Sequence, residues 1–214
     1  MMHSTEHIGE EIEIKLALES FPDYLKLIGF MGQLDNEVRQ HNCFFDTKDR
    51  KLSTNDWALR IRTVSNGGKL TLKSKTSSEG IAATRKEIET DIPKSTAENI
   101  ILSPDSIFEI ENNIVTYLKE SLKLTSGLSL LLKFENFRQR KNIKLGDYFY
   151  TFELDTTKFS DGSTEYELEI ELEDTSKLEI VTDHLHKIFA SLQIEFKIQT
   201  ESKFARALKH AGLN

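Results

Sequence analysis

Glutamates two positions apart form two rows in this chain of 214 residues, one near its start and one far along it. The first row is Glu11 and Glu13, and the second is Glu167, Glu169 and Glu171. Successive side chains of a β-strand point to opposite faces, so residues two apart share one surface. Carboxylates gathered in this way are the ligands that hard divalent cations such as Mg²⁺ prefer. Each row is therefore a candidate metal-binding surface.

Basic side chains occupy similar rows between the two acidic ones. The cations are Lys15, Arg60 and Arg62, Lys73 and Lys75, Arg85, Arg138 and Arg140, with Lys203 further on. Arginine binds phosphate oxygens through two parallel N–H groups, whereas lysine acts as a mobile point charge. A mixed set of this kind suits a flexible polyanion. Together with the carboxylates, it favours a ligand that carries several phosphates and a divalent metal.

The charged rows admit two structural interpretations. An antiparallel sheet commonly has one solvent-exposed face, and a charged row on a single strand is most simply explained in that way. Here, however, the signs segregate by strand: the first and last strands are acidic, and the third, fourth and sixth are basic. A sheet that closes with its charged face inward would enclose a polar cavity. Charges in such a cavity need water, partners, a ligand or a metal.

The elements that position these rows are predicted from the period of the apolar residues. Two-residue alternation predicts strands over residues 10–18, 42–47, 57–64, 69–76, 84–92, 134–145, 148–156 and 164–173. Turns are expected at Asn66-Gly67-Gly68 and Gly146-Asp147, because Asn and Gly tolerate positive φ. Helical spacing predicts helices over residues 21–30, 106–122, 176–192 and 202–213, and Ser106 with Glu109 fits a capping box. This pattern predicts one α+β domain, residues 1–214, with a largely antiparallel sheet.

Composition restricts the classes of partner and compartment. The chain has 28 Lys+Arg against 35 Asp+Glu, a net charge of −7, which disfavours a nucleic-acid partner. Its start lacks a basic segment followed by an apolar one, and no apolar run is long enough to span a membrane. Cys43 is the single cysteine, so an intramolecular disulfide is excluded. We therefore expect a cytoplasmic protein with neither a membrane nor a nucleic acid as partner.

Short motifs that contain these residues follow one another over nearly the whole chain. They are Glu11-Ile12-Glu13-Ile14-Lys15, Phe44-Phe45-Asp46-Thr47, Leu59-Arg60-Ile61-Arg62, Leu70-Thr71-Leu72-Lys73, Arg85-Lys86-Glu87, Phe134-Glu135-Asn136-Phe137-Arg138, Glu153-Leu154-Asp155, Tyr166-Glu167-Leu168-Glu169 and Ser202-Lys203-Phe204. In this order they resemble the CYTH superfamily, also called triphosphate tunnel metalloenzymes. The resemblance is nearest to the compact plant-type inorganic tripolyphosphatases of that superfamily.

The resemblance implies an eight-stranded antiparallel β-barrel with a charged interior and helices packed on its outside. Such a protein binds a triphosphate in the barrel and cleaves a phosphoanhydride bond with Mg²⁺ or Mn²⁺. The implied metal ligands are Glu11, Glu13, Glu167, Glu169 and Glu171. The implied phosphate-binding residues are Lys15, Arg60, Arg62, Lys73, Arg85, Arg138, Arg140 and Lys203. The implied catalytic residues are Lys15, Lys73, Glu87 and Asp155.

Several functions remain open within this resemblance, and inorganic tripolyphosphate hydrolysis is the first choice. Alternatives are a thiamine-triphosphatase, a nucleoside triphosphatase and a class IV-type adenylate cyclase. The thiamine-specific branch carries Trp two residues before the first tunnel arginine; here that residue is Ala58, and Trp57 falls on the opposite face. This departure disfavours thiamine triphosphate. A non-catalytic polyphosphate-binding module would need the cations but not both acidic rows, so the two rows favour an enzyme.

Overall fold

The computed structural model describes residues 6–75, 77–79 and 81–213. The strands within these ranges are β1 Glu6–Leu18, β2 Asn36–Thr47, β3 Trp57–Val64, β4 Gly67–Ser74, β5 Ser77–Glu79, β6 Ala82–Ile92, β7 Leu128–Leu145, β8 Tyr148–Lys158, β9 Thr164–Leu172 and β10 Lys197–Ile198. The helices are α1 Phe21–Met31, α2 Lys51–Thr54, α3 Lys94–Leu102, α4 Asn113–Glu120, α5 Leu178–Leu192 and α6 Lys203–His210, with 3₁₀ turns at Pro104–Glu109 and Thr175–Lys177. None of these helices is long and apolar enough to cross a bilayer.

Eight strands close into an antiparallel barrel in the order β1-β9-β8-β7-β2-β3-β4-β6. Closure comes from β6 pairing back onto β1, where Glu11 stands opposite Arg85. The short β5 and β10 add to the edges of β6 and β1. Closing the sheet gives each barrel strand two neighbours and so satisfies its backbone hydrogen bonds. The predicted α+β fold, an eight-stranded antiparallel barrel with external helices, is confirmed.

The apolar residues of the strands point outward and are covered by helices. On one side of the barrel Ile14 and Leu16 of β1 pack in a cluster with Leu27 of α1 and Phe189 of α5. On the other side Leu59, Ile61, Leu70 and Leu72 pack with buried residues of α3 and α4. Burying each large aliphatic side chain contributes about 1.5–3 kcal/mol. The charged alternate positions are thereby directed into the barrel.

The turn between β3 and β4 differs from the prediction in its position and conformation. It is formed by Ser65 and Asn66, so Gly67 and Gly68 already belong to β4. None of the residues 65–68 has positive φ. The prediction that this turn depends on positive φ at Asn or Gly was therefore wrong. Gly68 is required for a different reason: a Cβ there would lie 2.6 Å from the Cβ of Ala97 on α3. The second predicted turn is confirmed, with Gly146 at φ +60°.

The segment between β6 and β7 also departs from the prediction. Helix α3 was not predicted, and the helix expected over residues 106–122 is divided into a 3₁₀ turn and α4. Extended backbone at Ile110 and Asn112 interrupts the helical hydrogen bonding between them. The capping box at Ser106 and Glu109 was therefore wrong. The side chain of Asn112 caps α4 instead and accepts a hydrogen bond from the backbone N–H of Val115 at 2.9 Å.

Candidate functional site

A cavity of 890 Å³ lies inside the barrel, and its wall carries most of the predicted site residues. Those that line it are Glu11, Lys15, Arg60, Arg62, Lys73, Arg85, Glu87, Arg138, Arg140, Glu169, Glu171 and Lys203. The remaining three, Glu13, Asp155 and Glu167, are buried and contact side chains of this set. The alternation of the strands thus brings charges from distant parts of the sequence onto one inner surface.

Three carboxylates on neighbouring strands form a compact acidic cluster. Asp155 of β8 stands opposite Glu167 of β9, and Glu169 follows two positions along β9. Each offers an oxygen within 4.8 Å of the others. Lys203, in the first turn of α6, places its Nζ 2.7 Å from Asp155 Oδ2 and 2.8 Å from Glu169 Oε1, and it also contacts Glu167. Carboxylates this close can remain ionised together only beside positive charge.

The pKa values of the cluster reflect this balance. Burial would raise the pKa of Asp155, but Arg138 and Lys203 outweigh it, and the pKa of Asp155 is lowered. Glu169 has a lowered pKa because Lys203 and Arg138 together outweigh its burial. The pKa of Glu167 is instead raised, by burial and by the neighbouring Glu169. Glu167 is therefore the carboxylate of the cluster whose negative charge is least stabilised.

The carboxylates of β1 lie in a second group. Glu11 accepts hydrogen bonds from Lys73 Nζ at 3.0 Å and Arg85 Nε at 2.5 Å. Glu13 lies 3.1 Å from Lys15 Nζ and 3.0 Å from Arg85 Nη2. Within the part of the chain that the structure describes, Glu11 and Glu13 are not members of the three-carboxylate cluster. Glu11 and Glu13 are thus paired with Lys73, Lys15 and Arg85, on the strand next to the one that carries Glu167 and Glu169.

Glu171, the fifth predicted metal ligand, stands opposite Glu13 at the edge of the cavity. It is more exposed than Glu167 and Glu169 but still partly covered. Partial burial and the nearby negative charges of Glu11 and Glu153 raise its pKa. A cation between these carboxylates would relieve their mutual repulsion.

Arg138 links the acidic cluster to the neighbouring wall. Its guanidinium donates to Asp155 Oδ1 at 2.8 Å and to Asp155 Oδ2 at 2.5 Å, and it also contacts Glu153 and Glu169. Arg140 donates to the other oxygen of Glu153 at 2.7 Å. Glu153 was not among the predicted site residues, although it shares the strand face of Asp155. Its position two residues before Asp155, on the same strand face, could have identified Glu153 as a site residue.

Lys73 and Glu87 form a close pair on the opposite side of the cavity. The two charged atoms lie 2.6 Å apart. Burial and the cation Arg85 lower the pKa of Lys73. Burial raises the pKa of Glu87 despite Lys73, and Glu11 adds to the increase. Opposite shifts of this kind bring the two pKa values closer together, which favours proton exchange between the groups.

The end of the cavity near α6 is apolar, which the sequence did not predict. Phe44 of β2 stacks on Phe134 of β7 and on Phe204 of α6, with ring centroids 5.7 and 4.7 Å apart. Ala58 packs against the same cluster. Trp57 stacks on Tyr117 of α4 at 5.0 Å, so its ring is directed to the outside of the barrel. Phe44 and Phe134 lie two residues from other inward-facing residues of their strands. This spacing could have predicted that both rings face the cavity.

Helix α6 is fixed to the barrel by a second basic residue that sequence reasoning missed. Arg206 contacts Glu165 and Glu167, and His210 lies 2.8 Å from both Glu165 Oε1 and Asp161 Oδ2. Arg206 follows Lys203 by three positions, so the two side chains share one helix face. That spacing could have identified Arg206 as a neighbour of the acidic cluster.

Comparisons with known proteins agree with this architecture. Residues 9–208 match the family model of the CYTH domain. The structure is similar to that of HpAC1 from Hippeastrum, a candidate adenylyl cyclase with a dominant triphosphatase activity. Its TM-score is 0.84 at 27% identity, over 93% of this chain and 95% of that one.

Two further solved structures share the fold. A candidate adenylate cyclase from Bacillus halodurans has a TM-score of 0.65 at 25% identity, over 92% of this chain and 98% of that one. PH1819 from Pyrococcus horikoshii has a TM-score of 0.57 at 20% identity, with the same two coverages, and this likeness concerns the fold alone. A comparison with curated proteins gave no match.

Proposed function

This chain belongs to the CYTH domain family, and we propose that it is a metal-dependent triphosphatase that cleaves a phosphoanhydride bond of inorganic tripolyphosphate. The observation that carries the proposal is the barrel interior, where a three-carboxylate cluster adjoins a wall of arginines and lysines. The dominant triphosphatase activity of HpAC1 supports the same reaction class. A water-filled interior with no ligand would not need so many charges of both signs.

The acidic cluster has the donor chemistry that Mg²⁺ or Mn²⁺ requires. Asp155, Glu167 and Glu169 offer carboxylate oxygens close together, and hard divalent cations bind oxygen ligands. We assign Glu11, Glu13 and Glu171 to a second, adjoining set of metal-binding carboxylates. A bound ion supplies charge neutralisation at the phosphate oxygens and increases the acidity of a nearby water molecule.

The cations of the wall would bind and orient the phosphate chain. This role falls to Lys15, Arg60, Arg62, Lys73, Arg85, Arg138, Arg140 and Lys203. Phosphoryl transfer depends mainly on positioning and on stabilisation of charge, and these cations would contribute to both alongside the metal. Burial of these side chains strengthens their interaction with phosphate, because the local dielectric constant is low.

We assign proton handling to Lys73 and Glu87. Hydrolysis requires a group that accepts a proton from the attacking water, and an efficient acceptor has a pKa near the working pH. The lowered pKa of Lys73 and the raised pKa of Glu87 both move in that direction. Lys15 would assist by stabilising negative charge on the reacting phosphate. Asp155 would assist by holding Arg138 and Lys203 in place beside it.

A nucleoside triphosphate is the second candidate substrate. The aromatic side chains of Phe44, Phe134 and Phe204 line the α6 end of the cavity, and aromatic rings stack favourably on planar organic groups. Thiamine triphosphate is disfavoured, since Ala58 occupies the position of the tryptophan found in that branch and Trp57 packs outside. A class IV-type cyclase would use the same cavity but release a cyclic nucleotide.

The proposal is tested by a substrate panel with purified protein and Mg²⁺. Phosphate release is measured from tripolyphosphate, thiamine triphosphate and ATP, with a parallel assay for cyclic AMP. We expect tripolyphosphate to give the highest kcat/KM, and the activity to disappear in chelator. Tight binding of tripolyphosphate without turnover would identify a polyphosphate-binding module instead.

The role of the acidic cluster is tested by Glu169→Gln, with Glu173→Gln as the matched control. Glu169 is buried in the cluster, whereas Glu173 is exposed just beyond the end of β9. We expect Glu169→Gln to lower Mg²⁺-dependent kcat/KM by about a hundredfold or more, as loss of a preorganised charge at an active site does. The control should retain wild-type activity. Full activity in Glu169→Gln would refute the assignment.

A further inference from the structure

Asn42 is a buried amide on the inner face of β2. It lines the cavity, yet only 1% of its surface is exposed. Arg62 stands opposite it on β3, and Arg62 Nε donates a hydrogen bond to Asn42 Oδ1 at 2.9 Å. A guanidinium can only donate, so this contact fixes which end of the amide carries the oxygen. The amino group of Asn42 is therefore turned away from Arg62.

The amino group of Asn42 has no hydrogen-bond acceptor among the described residues. An unsatisfied buried donor costs about 1–3 kcal/mol, and such groups in native proteins call for an explanation. Asn136, also inside the barrel, differs in this respect. Its Nδ2 donates to Gln40 Oε1 at 3.2 Å, and its Oδ1 accepts from Thr157 Oγ1 at 2.8 Å. Of these two buried amides, Asn42 alone has a free donor; among the described residues the other buried N–H donors without an acceptor are the Nε atoms of Arg60 and Arg206.

Arg62 is also incompletely neutralised. In the described part of the chain it has no carboxylate at ion-pair distance, whereas Arg60 lies 3.6 Å from Glu89 and Arg138 lies 2.5 Å from Asp155. Burial, together with the positive charges of Arg60 and Arg138, lowers the pKa of Arg62 to about 9. An uncompensated cation therefore stands beside an unsatisfied N–H donor, and an anion would satisfy both.

We propose that Asn42 is a phosphate-binding residue, and that its amino group and the Arg62 guanidinium form a subsite for one phosphoryl group of the tripolyphosphate chain. The inference rests on the proposed function and extends it to a neutral residue that the family resemblance did not assign. The subsite is preformed without metal, because neither group has to leave a carboxylate before it binds phosphate. An amide also adds a donor without adding positive charge beside Arg60, Arg62 and Arg138.

The test is tripolyphosphate binding, measured by isothermal titration calorimetry in chelator. Asn42→Ala removes the donor, and Asn42→Asp keeps an acceptor for Arg62 but replaces the donor by a negative charge. We expect Asn42→Ala to weaken binding by about tenfold to a hundredfold, the value of a hydrogen bond to a charged group. Asn42→Asp should weaken it further, through repulsion of the phosphate.

Asn136→Ala is the matched control, because it deletes a buried amide whose hydrogen bonds are already made within the protein. It should lower the melting temperature while leaving the dissociation constant within about twofold of wild type, since the Nδ2 and Oδ1 atoms of Asn136 already bond to Gln40 and Thr157. Thermal unfolding of every variant establishes that each one folds.

Three outcomes would overturn the inference or a part of it, and they are distinguishable. If the wild type binds and hydrolyses tripolyphosphate and Asn42→Ala binds it equally well, the subsite is wrong and the proposed function stands. If the wild type neither binds nor hydrolyses tripolyphosphate, both the subsite and the proposed function are refuted. Binding by the wild type only in the presence of Mg²⁺ would refute the claim that the subsite is preformed.

Discussion

Replacing Lys203 by methionine tests the link between the acidic cluster and metal binding without measuring activity. The Lys203 side chain is 13% exposed, and the side chains of Asp155 and Glu167, which it contacts, are 0% and 1% exposed. Methionine has a similar length but no charge, so the variant leaves these carboxylates without their nearest ammonium. Removing one partner from a buried ion pair costs about 3–5 kcal/mol.

That loss can be expressed as a change in melting temperature. A chain of this length loses about 2–4 °C per kcal/mol, so Lys203→Met should melt about 6–20 °C below wild type in chelator. Mg²⁺ should reduce the difference, because a divalent cation at Asp155, Glu167 and Glu169 supplies the missing positive charge. The assay is thermal and denaturant unfolding of both proteins, with and without Mg²⁺.

Lys209→Met is the control for this experiment. Lys209 lies on the same helix, but its side chain is 53% exposed and pairs with the exposed Glu201. Exposed pairs contribute about 0–1 kcal/mol, so its unfolding should be close to that of wild type in both conditions. The reasoning is refuted if Lys203→Met is as stable as Lys209→Met in chelator. It is refuted equally if Mg²⁺ stabilises Lys203→Met no more than it stabilises wild type.

Two further predictions concern packing and pH. Gly68→Ala should destabilise the protein by about 1–3 kcal/mol, the usual cost of overpacking, because the new Cβ meets Ala97, and the added substitution Ala97→Gly should recover part of the loss in denaturant unfolding. Burial would lower the pKa of His210, but hydrogen bonds to Glu165 and Asp161 outweigh it and raise the pKa above the ordinary value of 6.5. His210 therefore stabilises the fold fully below pH 6.5 and loses that contribution as the pH rises through the raised pKa. The free energy of unfolding of wild type relative to His210→Gln should fall over that range, and a pH-independent difference would contradict it.

The strands could be predicted from the sequence because their two-residue alternation is strong. The helix over Lys94–Leu102 could not be predicted, because it buries only Ala97 and Ile100 and its apolar residues therefore show little helical periodicity. The first part of β2 was missed for a related reason. Residues 36–40 are mostly polar, and their strand conformation depends on pairing with Arg140 to Asn136 of β7.

The sequence could predict which charged residues face the cavity, but not which of them contact one another. Strand parity identified the inward-facing charges, because alternation alone decides which face a residue occupies. The relative shift between strands then decides which residues meet: Lys15 stands opposite Glu169, and Asp155 stands opposite Glu167. That shift is a property of the closed barrel, so the sequence did not show that Asp155 joins Glu167 and Glu169 while Glu11 and Glu13 pair with Lys73, Lys15 and Arg85.

The pairing of β1 with both β6 and β9 constrains how the chain can fold. Glu13 stands opposite Ala83 on one side and Glu171 on the other, so the first strand shares its backbone hydrogen bonds with segments far along the chain. Contacts between such distant residues form slowly, because a long loop must close before they contribute. During synthesis the N-terminal residues emerge first. One edge of β1 must therefore stay open until β9 has been made, and the barrel can close only late in translation or after it.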